Sequence, residues 1–240
     1  MPHYRSEANS KMIKWNNTDF LSKGIVAERV PTIAKGKKNI TTYQVEGRDG
    51  FLAVDSGTYQ PFVLTIPCHF ATNTADWDDI KSFLDGFGTL TFDGSREYTA
   101  IVDNSIDFEK AKQANFRRFP VQFLVNPIAK AISATSASIS SSPYSLNIST
   151  ATARMWPTLT IQGEGDCEFT FNNSTFYMSS MLSSLTYTFD CENKVVIDNL
   201  SNNCASQMLY DFPCLLPGSN TISYSGSVTS FGISWKEAFL

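Results

Sequence analysis

The sequence predicts a mainly β protein built in two parts. Short runs in which apolar and polar residues alternate recur between turn residues, which is the period-two pattern of half-buried strands. One stretch, residues 76–88, instead spaces its apolar residues at near-helical intervals, and the composition changes after Pro127. The alternating runs are residues 43–45, 62–67, 89–92, 98–102, 121–125, 159–162, 168–171, 185–189 and 195–197.

Residues 76–88 predict one short amphipathic helix. Trp77, Ile80 and Phe83 recur at the spacing that brings side chains to one helix face. Asp76 stands where an N-cap is expected, and Gly86 stands where the helix should stop.

The second part begins with a stretch rich in serine and threonine. Residues 131–154 contain 11 Ser or Thr in 24 positions, and this composition is compatible with a flexible linker or with an opening pair of strands. We favour strands, because a structureless loop of that length inside a compact protein is uncommon. The predicted boundary lies near residues 127–131, which divides the chain into domains of residues 1–128 and 129–240.

Composition excludes several classes of function. At 240 residues and 42% hydrophobic content, the chain can bury one large core or two of ordinary size. Its most apolar stretches are far shorter than the roughly 20 residues that a membrane-spanning helix needs. The first 17 residues lack the apolar segment of a secretory signal, so we expect the protein to be made in the cytoplasm.

The distribution of charge argues against nucleic-acid binding. Residues 1–128 hold 15 basic and 15 acidic side chains, and the remaining residues hold 4 and 8. Neither part has the surplus of Lys and Arg that neutralising phosphates requires. We therefore expect no sequence-specific or tight binding of DNA.

Residues suited to catalysis are sparse. Cys68 and His69 are neighbours, but adjacent residues on a strand point to opposite faces and do not easily meet. The five cysteines form no CxxC pair and are expected to be reduced. Glu164, Asp166 and Glu168 could form an acidic strand face or line a cation site, although a solvated hairpin is favoured. The sequence thus predicts no enzyme, no metal site and no cofactor.

The first part carries an ordered series of motifs. It contains the turn VEGRDG, the helix and its exit WDDIKSFLDGFGTLTF, and the closing strand RFPVQFLVNP. This order and spacing resemble the N-terminal domain of the distal tail proteins of long-tailed, non-contractile bacteriophages. The resemblance implies a barrel-like domain with one short helix, in which Trp77 belongs to that helix.

Four residues of the turn, Gly47, Arg48, Asp49 and Gly50, are candidate interface residues. The glycines permit positive backbone torsions, and the two charged side chains are placed for contacts at a turn. Two interpretations stay open, a surface hairpin with no partner and a structural role near a subunit contact. We favour the second, because the resemblance implies a ring that such turns could brace.

The second part resembles the galectin-like β-sandwich of the same family. PTLTIQGEGDCEFTFNN predicts two strands about a glycine-rich turn, and TYTFDCENKVV predicts the next pair. The run DFPCLLPGSNTISYSG matches the segment that precedes the family's last strands, with a Pro-Gly turn and an Asn able to bond its own backbone. The matching positions proposed as structural are Phe212, Pro213, Pro217 and Gly218.

The resemblance implies a structural protein of the virion. It implies a homo-hexameric ring at the distal end of the tail, assembled in the host cytoplasm, whose lumen lets DNA pass. The implied partners are the major tail tube protein, a tail-associated tip or lysin protein, and receptor-binding or baseplate proteins. The chain looks like the short form of the family, without inserted modules.

Two alternatives stay open, and the first belongs to a different class of protein. A sugar-binding adhesion module is suggested by the galectin-like sandwich and by Trp156, Tyr177 and Trp235, whose rings could stack on sugars. Core packing is favoured for all three rings. The other alternative is a tail tube or baseplate protein of the same structural clan.

Overall fold

The chain forms two compact units. The computed structural model describes residues 10, 12–70, 77–92, 94–103, 106 and 118–240. The N-terminal unit comprises residues 1–129 with Leu240, and the C-terminal unit comprises residues 130–239. Strands dominate both, so the predicted mainly β fold class is confirmed.

One curled antiparallel sheet forms most of the N-terminal unit. Seven of its strands are hydrogen-bonded in the order β2-β1-β7-β8-β9-β6-β3. The strands of this unit are β1 (Lys14–Trp15), β2 (Thr18–Asp19), β3 (Ile25–Ala27), β4 (Lys38–Tyr43), β5 (Leu52–Tyr59), β6 (Phe62–Phe70), β7 (Phe87–Thr91), β8 (Arg96–Val102) and β9 (Arg118–Val125).

Alternation along the strands builds the N-terminal core. Every second residue of β9 from Phe119 to Val125 is buried, and β6 alternates in the same way from Leu64 to Phe70. The rings of Phe70 and Phe119 stack with their centroids 4.4 Å apart. The period-two pattern therefore follows from one face of the sheet being covered and the other exposed.

The predicted helix is present as α1 (Trp77–Phe83). Ile80 and Leu84 are buried, and the ring of Phe83 meets that of Phe20 at 5.8 Å. Gly86 has a φ of 73°, the left-handed conformation that suits the end of a helix. The proposed N-cap, Asp76, and the side chain of Trp77 lie outside the described residues.

Two strands stand apart from this sheet. β4 and β5 pair only with each other in a separate two-stranded sheet, within the described part of the chain. The turn that joins them contains the Gly-Arg-Asp-Gly sequence, so the predicted hairpin is present. Of the predicted run 43–45, only Tyr43 belongs to a strand, because the following residues lead into the turn.

The C-terminal unit is built on two long strands. β13 and β18 run antiparallel along their length, with register shifts in between. At one end of this pair lie β14, β17 and β12, and at the other end lie β15, β16 and β11. The strands are β10 (Ala129–Ala131), β11 (Thr135–Ser138), β12 (Tyr144–Ile148), β13 (Thr158–Phe171), β14 (Ser174–Met181), β15 (Tyr187–Asp190), β16 (Val195–Asp198), β17 (Met208–Leu209), β18 (Gly218–Trp235) and β19 (Ala238–Phe239).

Aromatic contacts show that the two ends of this sheet face each other. Phe176 of β14 meets Phe189 of β15 with ring centroids 5.5 Å apart. Phe169 of β13 meets Phe231 of β18 at 5.5 Å, edge to face. Because β14 and β15 belong to opposite ends, the sheet folds over this aromatic core as two layers.

One strand prediction in this unit is wrong and another is confirmed. Residues 159–162 and 168–171 are not two strands about a turn; both belong to β13. Gly163 and Gly165 lie at irregularities of the pairing, where β18 passes so close that a Cβ on Gly163 would lie 2.8 Å from the Ser227 oxygen.

The hairpin favoured for Glu164, Asp166 and Glu168 is likewise wrong, because all three lie along this one strand. The Ser- and Thr-rich stretch does form strands, β11 and β12.

Candidate functional site

The cysteine and histidine pair does not assemble a nucleophile and a base. Cys68 is fully buried, and burial together with the charge of Glu28 raises the pKa of its thiol. His69 is partly exposed, and its Nδ1 lies 3.9 Å from Oε1 of Glu28, which binds Arg118 at 2.6 Å. The thiol and the imidazole lie on opposite faces of β6, as the alternation of a strand requires.

Metal ligands are not grouped in the described residues. No cluster of three or more His, Cys, Asp or Glu side chains there could hold a metal ion. All five cysteines are unpaired thiols. In the same residues, no helix is both long and apolar enough to cross a membrane.

The β4–β5 hairpin carries exposed apolar side chains. Tyr43 lies opposite Leu52 and Thr41 lies opposite Val54, so these four share one face of the hairpin. Tyr43, Leu52 and Val54 are 53%, 47% and 50% exposed. Ile40, Val45 and Phe51 are also exposed elsewhere on the hairpin and its turn. We call the face formed by Thr41, Tyr43, Leu52 and Val54 the hairpin face.

Polar contacts hold the base of the hairpin. Lys38 forms an ion pair of 2.5 Å with Asp55, and the hydrogen bond between them raises the pKa of Lys38 and lowers that of Asp55. The amide of Asn39 donates to the hydroxyl of Thr58 at 2.8 Å. The base is therefore held within the chain, whereas the apolar face farther along is exposed.

The Gly-Arg-Asp-Gly turn sits at the tip of the hairpin. Gly47 and Gly50 have φ values of 78° and 85°, and a Cβ at either position would meet nothing within 4 Å. Torsion, rather than lack of space, thus explains both glycines. The backbone N–H of Arg48 donates to the Val45 oxygen at 3.1 Å. Arg48 and Asp49 are among the residues that line a shallow concavity at the turn.

The predicted Pro-Gly-x-Asn motif is closed by one buried amide. The Asn220 side chain is 1% exposed. Its Oδ1 accepts the Leu216 N–H at 2.8 Å and the Asn172 amide at 3.1 Å. Its Nδ2 donates to the carbonyls of Leu216 at 2.8 Å and Gly218 at 3.2 Å. Asn220 therefore bonds its own backbone neighbourhood, as predicted, and fixes the turn that starts β18.

The segment that precedes this turn, residues 211–213, packs around a lysine. The Lys194 ammonium lies 4.1 Å from the centroid of the Trp156 ring and 5.2 Å from that of Phe212. It also forms an ion pair of 3.1 Å with Asp211. Pro213 next to Phe212 is buried. These contacts are cation–π and packing interactions, and sequence patterns gave no signal for Lys194, because it comes from a different hairpin.

The structure separates the three aromatic residues that were considered for sugar stacking. Trp235 is buried, and the ring of Trp156 is contacted by Lys194. Tyr177 is 37% exposed, and its ring lies 5.7 Å from that of Tyr210. The prediction of core packing is therefore confirmed for Trp235 and wrong for Tyr177, which is exposed. Trp156 is partly exposed, with Lys194 over its ring.

The candidate residues fall into two groups. Gly47, Arg48, Asp49 and Gly50 lie together at the hairpin tip, and Trp77 begins α1 in the same unit. Phe212, Pro213, Pro217 and Gly218 lie along the C-terminal motif of the other unit. The exposed hairpin face was not recognised from the sequence, although Thr41 and Tyr43, like Leu52 and Val54, have the i, i+2 spacing that places side chains on one face of a strand.

Comparisons with known proteins bear on the fold. No protein-family model matches the sequence, and no curated protein sequence matches it significantly. The structure is similar to the Dit protein (gp 19.1) of phage SPP1, whose crystal structure is described as a paradigm of the hub adsorption apparatus in phages that infect Gram-positive bacteria. The two chains are 12% identical, with a TM-score of 0.74, and the match covers 95% of this chain and 99% of the other. The fold implied by the sequence resemblance is therefore confirmed: over nearly its whole length, this chain has the fold of the SPP1 Dit protein.

Proposed function

We propose that this protein is a structural hub of a phage tail, which forms a ring of six copies at the distal tail end. The observation that carries the proposal is the exposed hairpin face of a chain that has the fold of a phage hub protein throughout. The ring joins the tail tube to the tip or lysin protein and to receptor-binding or baseplate proteins. DNA passes through its lumen, and the assembled protein resides in the virion.

The hairpin supports self-association because its apolar face is left uncovered within a single copy of the chain. A two-stranded hairpin without a further layer is at best marginally stable in water. Here its apolar face, formed around Tyr43, Leu52 and Val54, is about half exposed. Exposed apolar faces of this kind are typical of surfaces that another protein covers. A neighbouring copy of the chain supplies that cover in our proposal.

A ring explains why one modest surface is sufficient. A cyclic assembly uses one heterologous contact repeated at every junction, so each copy contributes a donor face and an acceptor face. The Gly-Arg-Asp-Gly tip braces this contact, and Arg48 and Asp49 supply polar interactions at its rim. The same repetition multiplies the effect of any substitution around the ring.

The two units have different roles in the proposal. The predicted domain of residues 1–128 holds the hairpin and forms the ring. The predicted domain of residues 129–240 is a monomeric two-layer sandwich that faces outward and presents a docking surface to baseplate partners. The balanced charge of the first unit suits a surface that packs against copies of itself, and it also leaves no surplus cation to retain DNA.

The test is to measure the mass of the full-length protein in solution and to image the purified protein by electron microscopy. Wild type is expected as a six-fold ring. Val54→Ser and Arg48→Glu are expected to give folded monomers. Val63→Ser is the matched control, because Val63 is an exposed valine of the same unit that lies outside the hairpin, at 54% exposure against 50% for Val54.

Three outcomes contradict the proposal. If the wild-type protein stays monomeric at high concentration, the proposed ring is wrong. If the ring forms in both the Val54→Ser and the Arg48→Glu variant, the hairpin is not the contact between copies. If the separately expressed segments show an oligomeric C-terminal unit beside a monomeric N-terminal unit, the assignment of roles is reversed.

A further inference from the structure

Two tyrosines form an exposed aromatic pair in the C-terminal unit. Tyr177 lies on β14, and Tyr210 directly follows β17, the short strand that pairs with β14. Their ring centroids are 5.7 Å apart and the ring planes are tilted by 51°. Tyr210 is 75% exposed. Two tilted rings at this distance present a continuous aromatic surface to the solvent.

The backbone at Tyr210 adopts a conformation that its own packing does not explain. Its φ is 75°, in the left-handed region that bulky side chains rarely adopt. Side chains in this conformation usually persist where the surroundings demand it, and such positions cluster at binding sites. Here Tyr210 remains three-quarters exposed. Burial within the chain therefore contributes little stabilisation to offset the strain of the positive φ.

Polar groups surround the pair on the same sheet face. Glu168 of β13 lies directly opposite Tyr177, and hydrogen bonding to its carboxylate raises the pKa of the Tyr177 hydroxyl. Ser225 of β18 lies on the other side of Glu168. In the next row toward the end of the strands, the hydroxyls of Thr170 and Thr175 are 3.0 Å apart. The rings are thus bordered by hydroxyls and one carboxylate rather than by an apolar groove.

We propose that Tyr177, Tyr210 and Glu168 form a binding site for neutral sugars. The apolar C–H face of a pyranose ring packs on an aromatic ring, and its hydroxyls donate to a carboxylate and to tyrosine oxygens. A carboxylate next to the rings disfavours phosphate-bearing or carboxylated glycans by like-charge repulsion. The ligand class is therefore an uncharged hexose or N-acetylhexosamine oligosaccharide.

A protein partner fits these residues less well. Protein interfaces concentrate their energy in aromatic residues seated in apolar, fully desolvated pockets. Leu209 of β17 lies directly opposite Tyr177 and is the apolar neighbour of the pair. The other bordering residues, Glu168, Ser225, Thr170 and Thr175, are polar. Two exposed, mutually tilted rings among hydroxyl groups suit a polyhydroxylated ligand.

The site is independent of ring formation, because it uses residues of the C-terminal unit alone. The probe is a printed array of neutral hexose and N-acetylhexosamine oligosaccharides, followed by calorimetry of the full-length protein with the oligosaccharide that binds best. Tyr210→Ala is the main variant, and its exposed side chain makes it a substitution that the fold tolerates. Glu168→Gln tests the carboxylate. Leu200→Ala is the control, because Leu200 is an apolar residue of the same unit that is 67% exposed, against 75% for Tyr210.

We expect wild type and Leu200→Ala to bind the same neutral oligosaccharide with equal affinity. Tyr210→Ala is expected to weaken binding at least about tenfold, the usual scale for losing one stacking contact, and Glu168→Gln to weaken it less. No neutral glycan bound by wild type, or binding unchanged in Tyr210→Ala, overturns the proposal. If wild type binds no sugar and Tyr210→Ala instead loses attachment of a tail protein, the pair is a protein-docking site and the sugar assignment is wrong.

Discussion

Replacing Asn220 with alanine is expected to destabilise the C-terminal unit strongly. The substitution removes four hydrogen bonds, two accepted and two donated, at a side chain that is 1% exposed. It leaves the N–H and the carbonyl of Leu216 without their partner in the turn. Each buried polar group that loses its partner costs about 1–3 kcal/mol. Water reaches part of the turn, because Leu216 is itself exposed, so we expect a total loss of about 2–4 kcal/mol.

Thermal and urea unfolding of the full-length protein measure this loss. A change of that size lowers the Tm of a unit of this length by roughly 10 °C. Asn147→Ala is the matched control, because Asn147 is an exposed asparagine on β12, the strand that pairs with the start of β18. It is expected to change stability by less than about 0.5 kcal/mol.

Asn220→Asp separates the donated from the accepted bonds. The aspartate keeps an acceptor for the Leu216 N–H but turns its second oxygen toward the carbonyls that the amide once served. Repulsion between these oxygens raises the pKa of the new carboxyl in the folded state, so the variant gains stability as pH falls and loses it as pH rises. The reasoning fails if Asn220→Ala costs less than about 1 kcal/mol, or if Asn220→Asp is equally stable at pH 4 and pH 7.

Three further predictions concern single residues. The pKa of Asp198 lies below its ordinary value of 3.8, chiefly through the Asn202 side chain, so its contribution to stability is present at neutral pH and lost on acidification; the stability gap between wild type and Asp198→Asn should shrink as unfolding is measured at falling pH, and a constant gap would contradict this. Cys68 should resist iodoacetamide at pH 8 in the folded protein and react only after unfolding, because burial raises its pKa and the thiolate is the reactive form; modification at the rate of a free thiol would refute it. Gly165→Ala should cost about 1–2 kcal/mol from its positive φ alone, and Gly226→Ala should cost more, because its Cβ would lie 2.6 Å from a backbone oxygen of β13; equal losses in denaturant unfolding would show that space is not limiting.

Local patterns predicted the elements that local physics determines. The alternation in β6 and β9 exists because one face of each strand is buried, so the pattern is visible without the structure. The helix and the Asn220 turn were predictable for the same reason, since their contacts lie within a few residues. The glycine-rich turn predicted between the runs 159–162 and 168–171 was wrong, because glycines that mark a turn also accommodate a bulge in a long strand. Which one forms depends on the neighbouring strand β18, more than fifty residues away.

The candidate surfaces depended on pairings that the sequence does not display. The pairing of β14 with β17 places Tyr210 beside Tyr177, although 32 other residues separate them in the chain. The sequence predicted no strand over β5, and of β4 it predicted only a run that begins at Tyr43. It also does not reveal whether a further layer covers the apolar face of these strands. Exposure of that face is a property of the tertiary structure.

The long pair of β13 and β18 has a mechanical consequence. Both layers of the C-terminal unit are pinned to the same two strands, so neither layer can open while the other stays folded. A force applied to one layer is transmitted along these two strands to the other layer. The hydrogen bonds between β13 and β18 bear that force. The unit should therefore resist tension up to a single threshold and then unfold in one step.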